Sequence, residues 1–98
     1  MVGKIIWSPN AISEYEEIVD FLMLIWNVDI ILDFENLVNH KISMISKNPY
    51  SFSIIDENVR RVVIHKNVSL YYDYKEEQNT IEILSIFDNR QNPDKLKL

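Results

Sequence analysis

The stretch VSLYYDYKEEQNTIEILSIF, residues 68–87, decides the fold class of this chain. In this stretch Val68, Leu70, Tyr72 and Tyr74 alternate with Ser69, Tyr71 and Asp73. This period of two predicts a β-strand. Thr80–Phe87 repeats the period and is apolar on both faces, which predicts a strand in the middle of a sheet. Lys75–Asn79, between them, has the length of a hairpin connection. We therefore expect the two strands to pair antiparallel.

Further strands are predicted on the N-terminal side of this hairpin. Arg60–Ile64 is short and β-branched, and His65–Asn67 has the length of a hairpin connection to the strand that follows. The apolar run Lys4–Trp7 predicts a first strand near the N-terminus. Tyr50–Asn58 shows neither period, so we expect it to be irregular.

Between these strands the period changes to 3.6, which predicts helices. Ser8 offers an N-cap hydroxyl, and Pro9 occupies the first helical position, where its missing N–H costs no hydrogen bond. The apolar stripe of the first helix is Ala11, Tyr15, Ile18, Val19, Leu22 and Trp26. Asn27 is expected to end this helix in the left-handed conformation, and Asp29 to cap the next helix.

The second helix completes a helical hairpin. Its stripe is Ile31, Phe34, Val38, Ile42 and Ile45. Asn48-Pro49 stops it after Lys47, and the short connection predicts that the two helices lie antiparallel. The sequence therefore predicts an α+β fold, in which an N-terminal strand and a helical hairpin pack on a small antiparallel sheet. With 98 residues, we expect one domain spanning residues 1–98.

Composition favours a folded chain in a reducing compartment. The hydrophobic fraction of 47% suits a globule and is too high for a disordered chain. The absence of cysteine excludes disulfides and thiolate metal sites, and it fits the cytoplasm. Met1–Asn10 lacks the apolar stretch of a signal peptide. Ile18–Leu32, the most apolar region, is shorter than the ~20 residues that span a bilayer. We expect neither export nor membrane insertion.

Charge is distributed unevenly along the chain. The net charge of −5 argues against binding nucleic acid by bulk electrostatics. Residues 1–48 carry seven acids and three bases, whereas residues 49–98 carry eight acids and seven bases. Most of the acidity therefore lies on the helical half, and the second half can still present a local basic site.

A series of motifs, in a fixed order along nearly the whole chain, resembles a known family. The motifs are Trp7-Ser8-Pro9-x-Ala11, a helical hairpin ending in Asn48-Pro49, the strand-opening Arg60, the strand tyrosine Tyr72, Ile81-x-Ile83, and Phe87-Asp88-Asn89-Arg90-Gln91-Asn92-Pro93. Their order and spacing are similar to those of the RelE/ParE superfamily of toxins from bacterial type II toxin–antitoxin pairs. The resemblance implies a small toxin that arrests growth, as in plasmid stabilisation, when its labile antitoxin is degraded.

The resemblance also implies the partners. RelE-like members cut mRNA in the ribosome, whereas ParE-like members poison DNA gyrase and need no catalytic residues of their own. In both branches a disordered segment of the cognate antitoxin folds over the toxin, which gives a hetero-oligomer. We expect no cofactor and no metal, because no pair of His, Asp or Glu residues has a spacing that suits a metal site.

A metal-independent ribonuclease needs a base near the 2′-hydroxyl, cations around the scissile phosphate and an acid for the leaving oxygen. The candidates in this chain are Arg60, Arg61, His65, Lys66 and Arg90. Arg90 matches the arginine that closes the last strand of RelE-like toxins, and Arg60 matches the family's strand-opening arginine. His65 is a candidate general acid–base, because histidine titrates near neutral pH.

Each candidate also has a structural interpretation, which the sequence leaves open. The carboxylates available for ion pairs are Asp88 and Asp94 for Arg90, and Asp56 and Glu57 for Arg60. Arg61 would face the opposite side of its strand from Arg60, so at most one of the two lines a given site. His65 falls in a predicted turn, where a histidine is usually solvated, and His40 is expected to be exposed on its helix.

Two departures from the RelE-like pattern favour the ParE-like branch. Ser69 stands three positions before Tyr72, where RelE-like nucleases carry a basic residue. The residues after Arg90 include no aromatic or histidine that could stack on RNA or protonate it. Together with the net charge of −5, these departures indicate DNA gyrase as the target, with ribosome-bound mRNA as the alternative.

Aromatic residues divide into predicted core residues and unassigned ones. Those at helix or strand period are expected in the core, namely Trp7, Tyr15, Trp26, Phe34 and Tyr72. The pattern does not assign Phe52, Tyr71 and Tyr74. An apolar patch left uncovered among these three would be the natural groove for the antitoxin.

Overall fold

A computed structural model of the chain describes residues 2–25, 27–91, 93–96 and 98. Its elements are β1 (Lys4–Trp7), α1 (Pro9–Ile25), α2 (Val28–Lys47), β2 (Ser53–Asp56), β3 (Val59–His65), β4 (Val68–Lys75) and β5 (Thr80–Asp88), with short 3₁₀ turns at Glu76–Gln78 and Pro93–Lys95. Trp26, predicted in the core, and Asn92, in the closing motif, lie outside the described residues.

One sheet contains these strands in the order β1-β5-β4-β3-β2. Strands β3, β4 and β5 pair antiparallel, as predicted, and β2 pairs antiparallel with β3. β1 lies parallel to β5, with Lys4 opposite Thr80 and Trp7 opposite Ile83. The sheet is therefore mixed, and the predicted α+β class, with two helices packed on a small sheet, is confirmed. β5 lies between β1 and β4, which agrees with its apolar character on both faces.

The start of α1 is bonded to β5. The Ala11 amide donates to Ser8 Oγ at 3.0 Å, so the serine caps the helix as predicted, and the Ser8 hydroxyl donates to the Leu84 carbonyl at 3.0 Å. The Ser8 amide donates to the Ile83 carbonyl at 2.9 Å, and Asn10 Nδ2 also reaches the Leu84 carbonyl. Because β1 pairs only as far as Ile83, these bonds fix α1 beside the remaining half of β5.

The connection between the helices differs from the prediction at Asn27. Its backbone is extended (φ −96°, ψ 176°), not left-handed, and its side-chain oxygen accepts from the Ile30 amide at 3.2 Å. Asn27 therefore caps α2 itself, because the helix begins at the next residue. Asp29 lies in the first turn, where the helix dipole favours a carboxylate. α2 ends at Lys47, before the Asn-Pro pair that was predicted to stop it.

An additional strand, β2, lies within the segment that was predicted to be irregular. It pairs antiparallel with β3, with Ser53 opposite Arg61. All four of its side chains are exposed, so the strand buries neither face and its sequence shows no alternation. Pairing with β3, rather than burial, holds β2 at the edge of the sheet.

The hydrophobic core lies between α2 and the sheet. It contains Phe34, Val38 and Ile45 from α2 and Leu70, Tyr72, Ile81, Ile83 and Ile86 from β4 and β5. Tyr15 meets Trp7 edge to face at 5.4 Å between ring centroids and stacks on Phe34 at 5.9 Å. The core positions predicted for Phe34 and Tyr72 are confirmed, whereas Trp7 and Tyr15 are partly buried and pack against the core. Neither described helix is long and apolar enough to cross a membrane.

Candidate catalytic residues and binding groove

The predicted catalytic residues divide between the two ends of β3. Arg60 lies level with Tyr72 and Ile83, whereas His65 lies level with Val68 and Asp88. Five positions along β5 separate the two levels, or roughly 16 Å at about 3.3 Å per residue. The resulting grouping is Arg60 and Arg61 at one end, and His65, Lys66 and Arg90 at the other.

Arg60 holds the segment after α2 against the sheet. Its Nη1 donates to the carbonyls of Tyr50 at 3.0 Å and Phe52 at 2.7 Å, and the guanidinium carbon lies 5.4 Å from the centroid of the Tyr50 ring. Within the described residues no carboxylate lies within ion-pair distance of Arg60, so the predicted pair with Asp56 or Glu57 is wrong. Two loop carbonyls bind the guanidinium where a carboxylate was expected.

Tyr72, beside Arg60 on the next strand, anchors the same segment. Its hydroxyl donates to the Pro49 carbonyl at 2.8 Å. Burial raises the pKa of Tyr72 to about 12, against a smaller lowering effect of the Arg60 charge. These two residues, both of which match positions of the family pattern, are therefore engaged with residues 49–52.

Arg90 is engaged by Asp88. Its Nε donates to Oδ1 at 3.0 Å and its Nη2 to Oδ2 at 2.6 Å, while its backbone amide donates to Oδ1 at 2.9 Å. The side-chain hydrogen bonds from Arg90 lower the pKa of the Asp88 carboxyl, and they raise the pKa of Arg90. The sequence left open whether Arg90 binds a substrate phosphate or pairs with Asp88 or Asp94, and in the structure it pairs with Asp88. A phosphate would have to displace Asp88 before binding this edge of the guanidinium.

The remaining candidates are solvated. Arg61, His65 and Lys66 are exposed, and their side chains make no hydrogen bond or ion pair with other described residues. His40 is likewise exposed, as predicted. Among the described residues, no neighbour therefore orients the His65 imidazole as the acid–base of a catalytic pair would be oriented.

Two buried serines occupy neighbouring central strands. Ser69, where RelE-like nucleases carry a basic residue, is fully buried on β4 and accepts from Asn89 Nδ2 at 3.1 Å. Ser85 on β5 is also fully buried and donates to Glu14 Oε1 at 2.6 Å. Both hydroxyls therefore have protein partners, and neither position presents a cation to solvent.

A groove of about 1440 Å³ lies between the helical hairpin and the His65 end of the sheet. We call it the helix–sheet groove. Its helical wall includes Glu14, Glu17, Ile18, Phe21, Leu22 and Ile25 from α1 and Ile30, Asp33 and Leu37 from α2. Its sheet wall includes His65, Val68, Ile86, Asp88 and Arg90. Spacings of three and four residues bring the α1 side chains onto one face.

Apolar side chains of the helical wall are open to solvent. Phe21 is 52% exposed and Leu37 is 36% exposed. Past the groove, the tip of the hairpin exposes Met23, Leu24, Val28 and Leu32, and Leu24 is 84% exposed. Single exposed apolar residues are ordinary, but a contiguous patch of them marks a binding surface.

The exposed apolar surface does not lie among Phe52, Tyr71 and Tyr74, where the sequence analysis looked for an uncovered patch. Tyr71 is buried, and Tyr74 and Phe52 are partly buried against the core, so these three leave no uncovered patch. The signal for this exposed apolar surface was present in Ile18–Leu32, the most apolar region of the chain. That region holds more apolar side chains than one stripe per helix can bury, and the surplus is what the hairpin exposes.

The arrangement of a first strand, a helical hairpin and a mixed five-stranded sheet is also found in a solved structure. The crystal structure of the isolated E. coli RelE toxin is similar, with a TM-score of 0.61 over 92% of this chain and 87% of that chain. The two sequences are 8% identical, so this likeness shows the fold alone.

The sequence itself carries the family assignment. The model of the family described as ParE toxin of type II toxin-antitoxin system, parDE, matches residues 5–93. The chain therefore belongs to the ParE toxin family, and the resemblance to the RelE/ParE superfamily is confirmed. Among curated proteins, none matches the sequence. Membership of a toxin–antitoxin family implies a cognate antitoxin as partner.

Proposed function

We propose that this protein is the toxin of a type II toxin–antitoxin pair and acts in the cytoplasm by binding and inhibiting DNA gyrase. The observation that carries this proposal is the state of the predicted catalytic residues. Arg60 is bonded to loop carbonyls, Arg90 is bonded to Asp88, and roughly 16 Å of strand separates their levels in the sheet. Growth arrest, and with it plasmid stabilisation, would then follow from binding alone.

Cleavage of a phosphodiester by side chains alone needs the base, the acid and the cations within reach of one scissile bond. The best-placed basic side chains of this chain already bind their own neighbours, Arg60 two carbonyls and Arg90 a carboxylate, and Ser69 is buried where a further cation would stand. A toxin that inhibits by occupying a surface of its target has no such requirement. The geometry therefore favours the binding mechanism.

The antitoxin is proposed to cover the helix–sheet groove. Phe21, Ile25 and Leu37 expose apolar surface along this groove, and a partner segment that folds on contact would bury it. Burial of this surface would provide the tight complex that keeps a toxin inactive. The complex would be a hetero-oligomer of toxin and antitoxin.

Expression of the chain alone in bacteria tests the target. We expect growth arrest together with linearised plasmid DNA, because poisoning of gyrase leaves double-strand breaks. Arrest with intact DNA would contradict gyrase as the target. Unimpaired growth, with the protein present in the lysate, would contradict the toxin assignment.

The second candidate function is a ribosome-dependent mRNA endoribonuclease. It is favoured by the position of His65 and Arg90, an imidazole and a guanidinium that line the same wall of the groove. Arg60, Arg61 and Lys66 would be its further cations. In that case Arg90→Ala would abolish cleavage of message, mapped by primer extension, while circular dichroism shows an intact fold. Cleavage at an unchanged rate would exclude Arg90 from the reaction.

A further inference from the structure

The helix–sheet groove has the size of a site for a secondary-structure element. Small-molecule sites usually enclose about 300–1000 Å³, whereas this groove has a volume of about 1440 Å³ and is open to solvent along one side. It also continues into the exposed apolar tip of the hairpin, where Leu24 is 84% exposed. A peptide segment fits a site of this volume better than a metabolite does.

The groove offers its occupant an apolar wall of helical side chains. Most of its apolar lining comes from α1 and α2, with Val68, Ile86 and Phe87 on the sheet side, and no residue of β1 or β2 lines it. The carbonyl of Leu84, on the half of β5 that β1 leaves unpaired, accepts hydrogen bonds from Ser8 and Asn10. A guest strand gains its affinity from main-chain hydrogen bonds, whereas a guest helix gains it by laying an apolar face into a groove. Because α1 and α2 supply most of the apolar lining, which one face of a guest helix can cover, we take the occupant to be a helix with one apolar face.

The charge that lines the groove is acidic on balance. Glu17 and Asp33 stand on the helical wall, and neither makes an ion pair with another described residue. On the opposite wall, the charge of Arg90 is compensated by Asp88, and Lys95 adds one cation next to Asp94 in the chain. A partner with cations flanking its apolar face would form ion pairs with these two carboxylates, whereas an acidic partner would be repelled.

Charge also decides against other occupants. A second copy of the chain would bring a net charge of −5 and the same acidic wall against Glu17 and Asp33. An anionic membrane surface attracts basic segments and repels a face of this kind. Both occupants would bury like charges against each other, which a cationic helix avoids.

From these observations we infer that the helix–sheet groove binds a cationic amphipathic helix, with its apolar face on Phe21 and Leu37 and its basic residues against Glu17 and Asp33. The inference rests on the proposed pairing with an antitoxin, and it gives the chemistry of the antitoxin segment. That segment carries Lys or Arg on both sides of an apolar stripe, so its binding to this acidic toxin weakens with salt.

The experiment uses two designed helical peptides of about 18 residues, or ~27 Å of helix. They share one leucine stripe and differ only in carrying Lys or Glu at the flanking positions. Binding of each labelled peptide to the full chain is measured by fluorescence anisotropy at low and at high salt. We expect the lysine peptide to bind at least about tenfold more tightly than the glutamate peptide, and to lose this advantage as salt screens the charges.

Matched variants locate the site. Phe21→Ser/Leu37→Ser removes apolar surface from the groove, and Ile54→Ser/Ile55→Ser removes exposed surface from β2 as the control. We expect the groove variant to weaken the lysine peptide about tenfold or more, and the β2 variant to weaken it less than about twofold. All four side chains are at least 36% exposed, so the fold is expected to tolerate both variants.

A second pair of variants tests the charge. Glu17→Gln/Asp33→Asn and the control Asp56→Asn/Glu77→Gln each remove two acids, but the control acids lie at the far end of the sheet. We expect roughly three- to tenfold weaker binding in the groove variant and a much smaller change in the control.

Equal binding of the two peptides, or equal effects of the groove and control variants, would overturn the inference. A dimer of the chain alone that Phe21→Ser/Leu37→Ser dissociates would also overturn it, in favour of self-association. Gyrase takes no part in these measurements. A failed binding experiment therefore leaves the proposed target standing, and a failed gyrase experiment leaves the groove inference standing.

Discussion

Replacement of Arg60 by methionine is the sharpest test of its structural assignment. Arg60→Met keeps most of the aliphatic stem but removes the donor shared by the carbonyls of Tyr50 and Phe52. The neighbouring Arg61 gives a matched control, because it stands on the same strand, is exposed, and makes no hydrogen bond with other described residues. Both variants change the net charge equally.

The size of the effect follows from the two hydrogen bonds. The bond to the Phe52 carbonyl is 2.7 Å long and partly buried, and a hydrogen bond from a charged donor contributes about 1.5–3 kcal/mol. The bond to the Tyr50 carbonyl is exposed and adds little. We therefore expect Arg60→Met to lower the free energy of unfolding by about 2 kcal/mol, and Arg61→Met to lower it by less than ~0.5 kcal/mol.

Urea denaturation followed by circular dichroism measures both variants. The slope of the free energy against urea should stay unchanged, because loss of these bonds does not alter the surface exposed on unfolding. Equal stability of Arg60→Met and Arg61→Met would refute the assignment of Arg60 as the anchor of residues 50–52. Loss of toxicity without loss of stability would instead indicate that Arg60 contacts the target.

Three further predictions concern the core and the sheet. Tyr72→Phe should lose about 1–2 kcal/mol in urea denaturation, because the Pro49 carbonyl loses its donor. Because the folded-state pKa of Tyr72 is raised to about 12, wild-type stability should fall as pH rises from ~10 to ~12, and this fall should be shallower in Tyr72→Phe. The pKa of Asp88 is lowered by Arg90, so its contribution is complete above the unfolded pKa of ~3.9 and is lost as pH falls through the folded value. Acid titration of Asp88→Asn should therefore show a smaller loss of stability below ~pH 4 than wild type does, and equal curves would contradict the pairing. Ile45→Ala should lose about 2–5 kcal/mol by thermal melting, because Ile45 is fully buried between α2 and the sheet, and a loss below ~1 kcal/mol would contradict that packing.

Most of the architecture could be predicted because burial repeats at a regular period. The strand β5 has apolar residues on both of its faces, which only an inner strand can bury, and the stripe of α2 marks the face that meets the sheet. The strand β2 could not be found in this way, because its four exposed side chains carry no period. The parallel register of β1 is likewise a property of the tertiary fold and leaves no local signal in the sequence.

Local polar contacts were predictable where one partner was close in sequence. The pair of Arg90 and Asp88 spans two residues and was one of the structural alternatives. The partners of Arg60 are backbone carbonyls, which every residue carries, so no residue type marks them. Asn27 and Asp29 can both cap a helix, and only the observed start of α2 distinguishes between them.

The helix–sheet groove was the largest omission. A sequence shows that α1 and α2 carry many apolar residues, but it does not show which of them the sheet covers. The sheet covers Phe34, Val38 and Ile45 and leaves Phe21 and Leu24 open. The surplus over one stripe per helix was the available signal for this exposed apolar surface.

Inhibition of purified DNA gyrase is the measurement that tests the central claim most directly. The chain is titrated into a supercoiling assay, beside the Arg90→Ala variant. We predict that both proteins inhibit supercoiling with the same concentration dependence, because inhibition depends on binding and requires no catalytic arginine. Full supercoiling at saturating protein, together with cleavage of ribosome-bound mRNA that Arg90→Ala abolishes, would contradict the account.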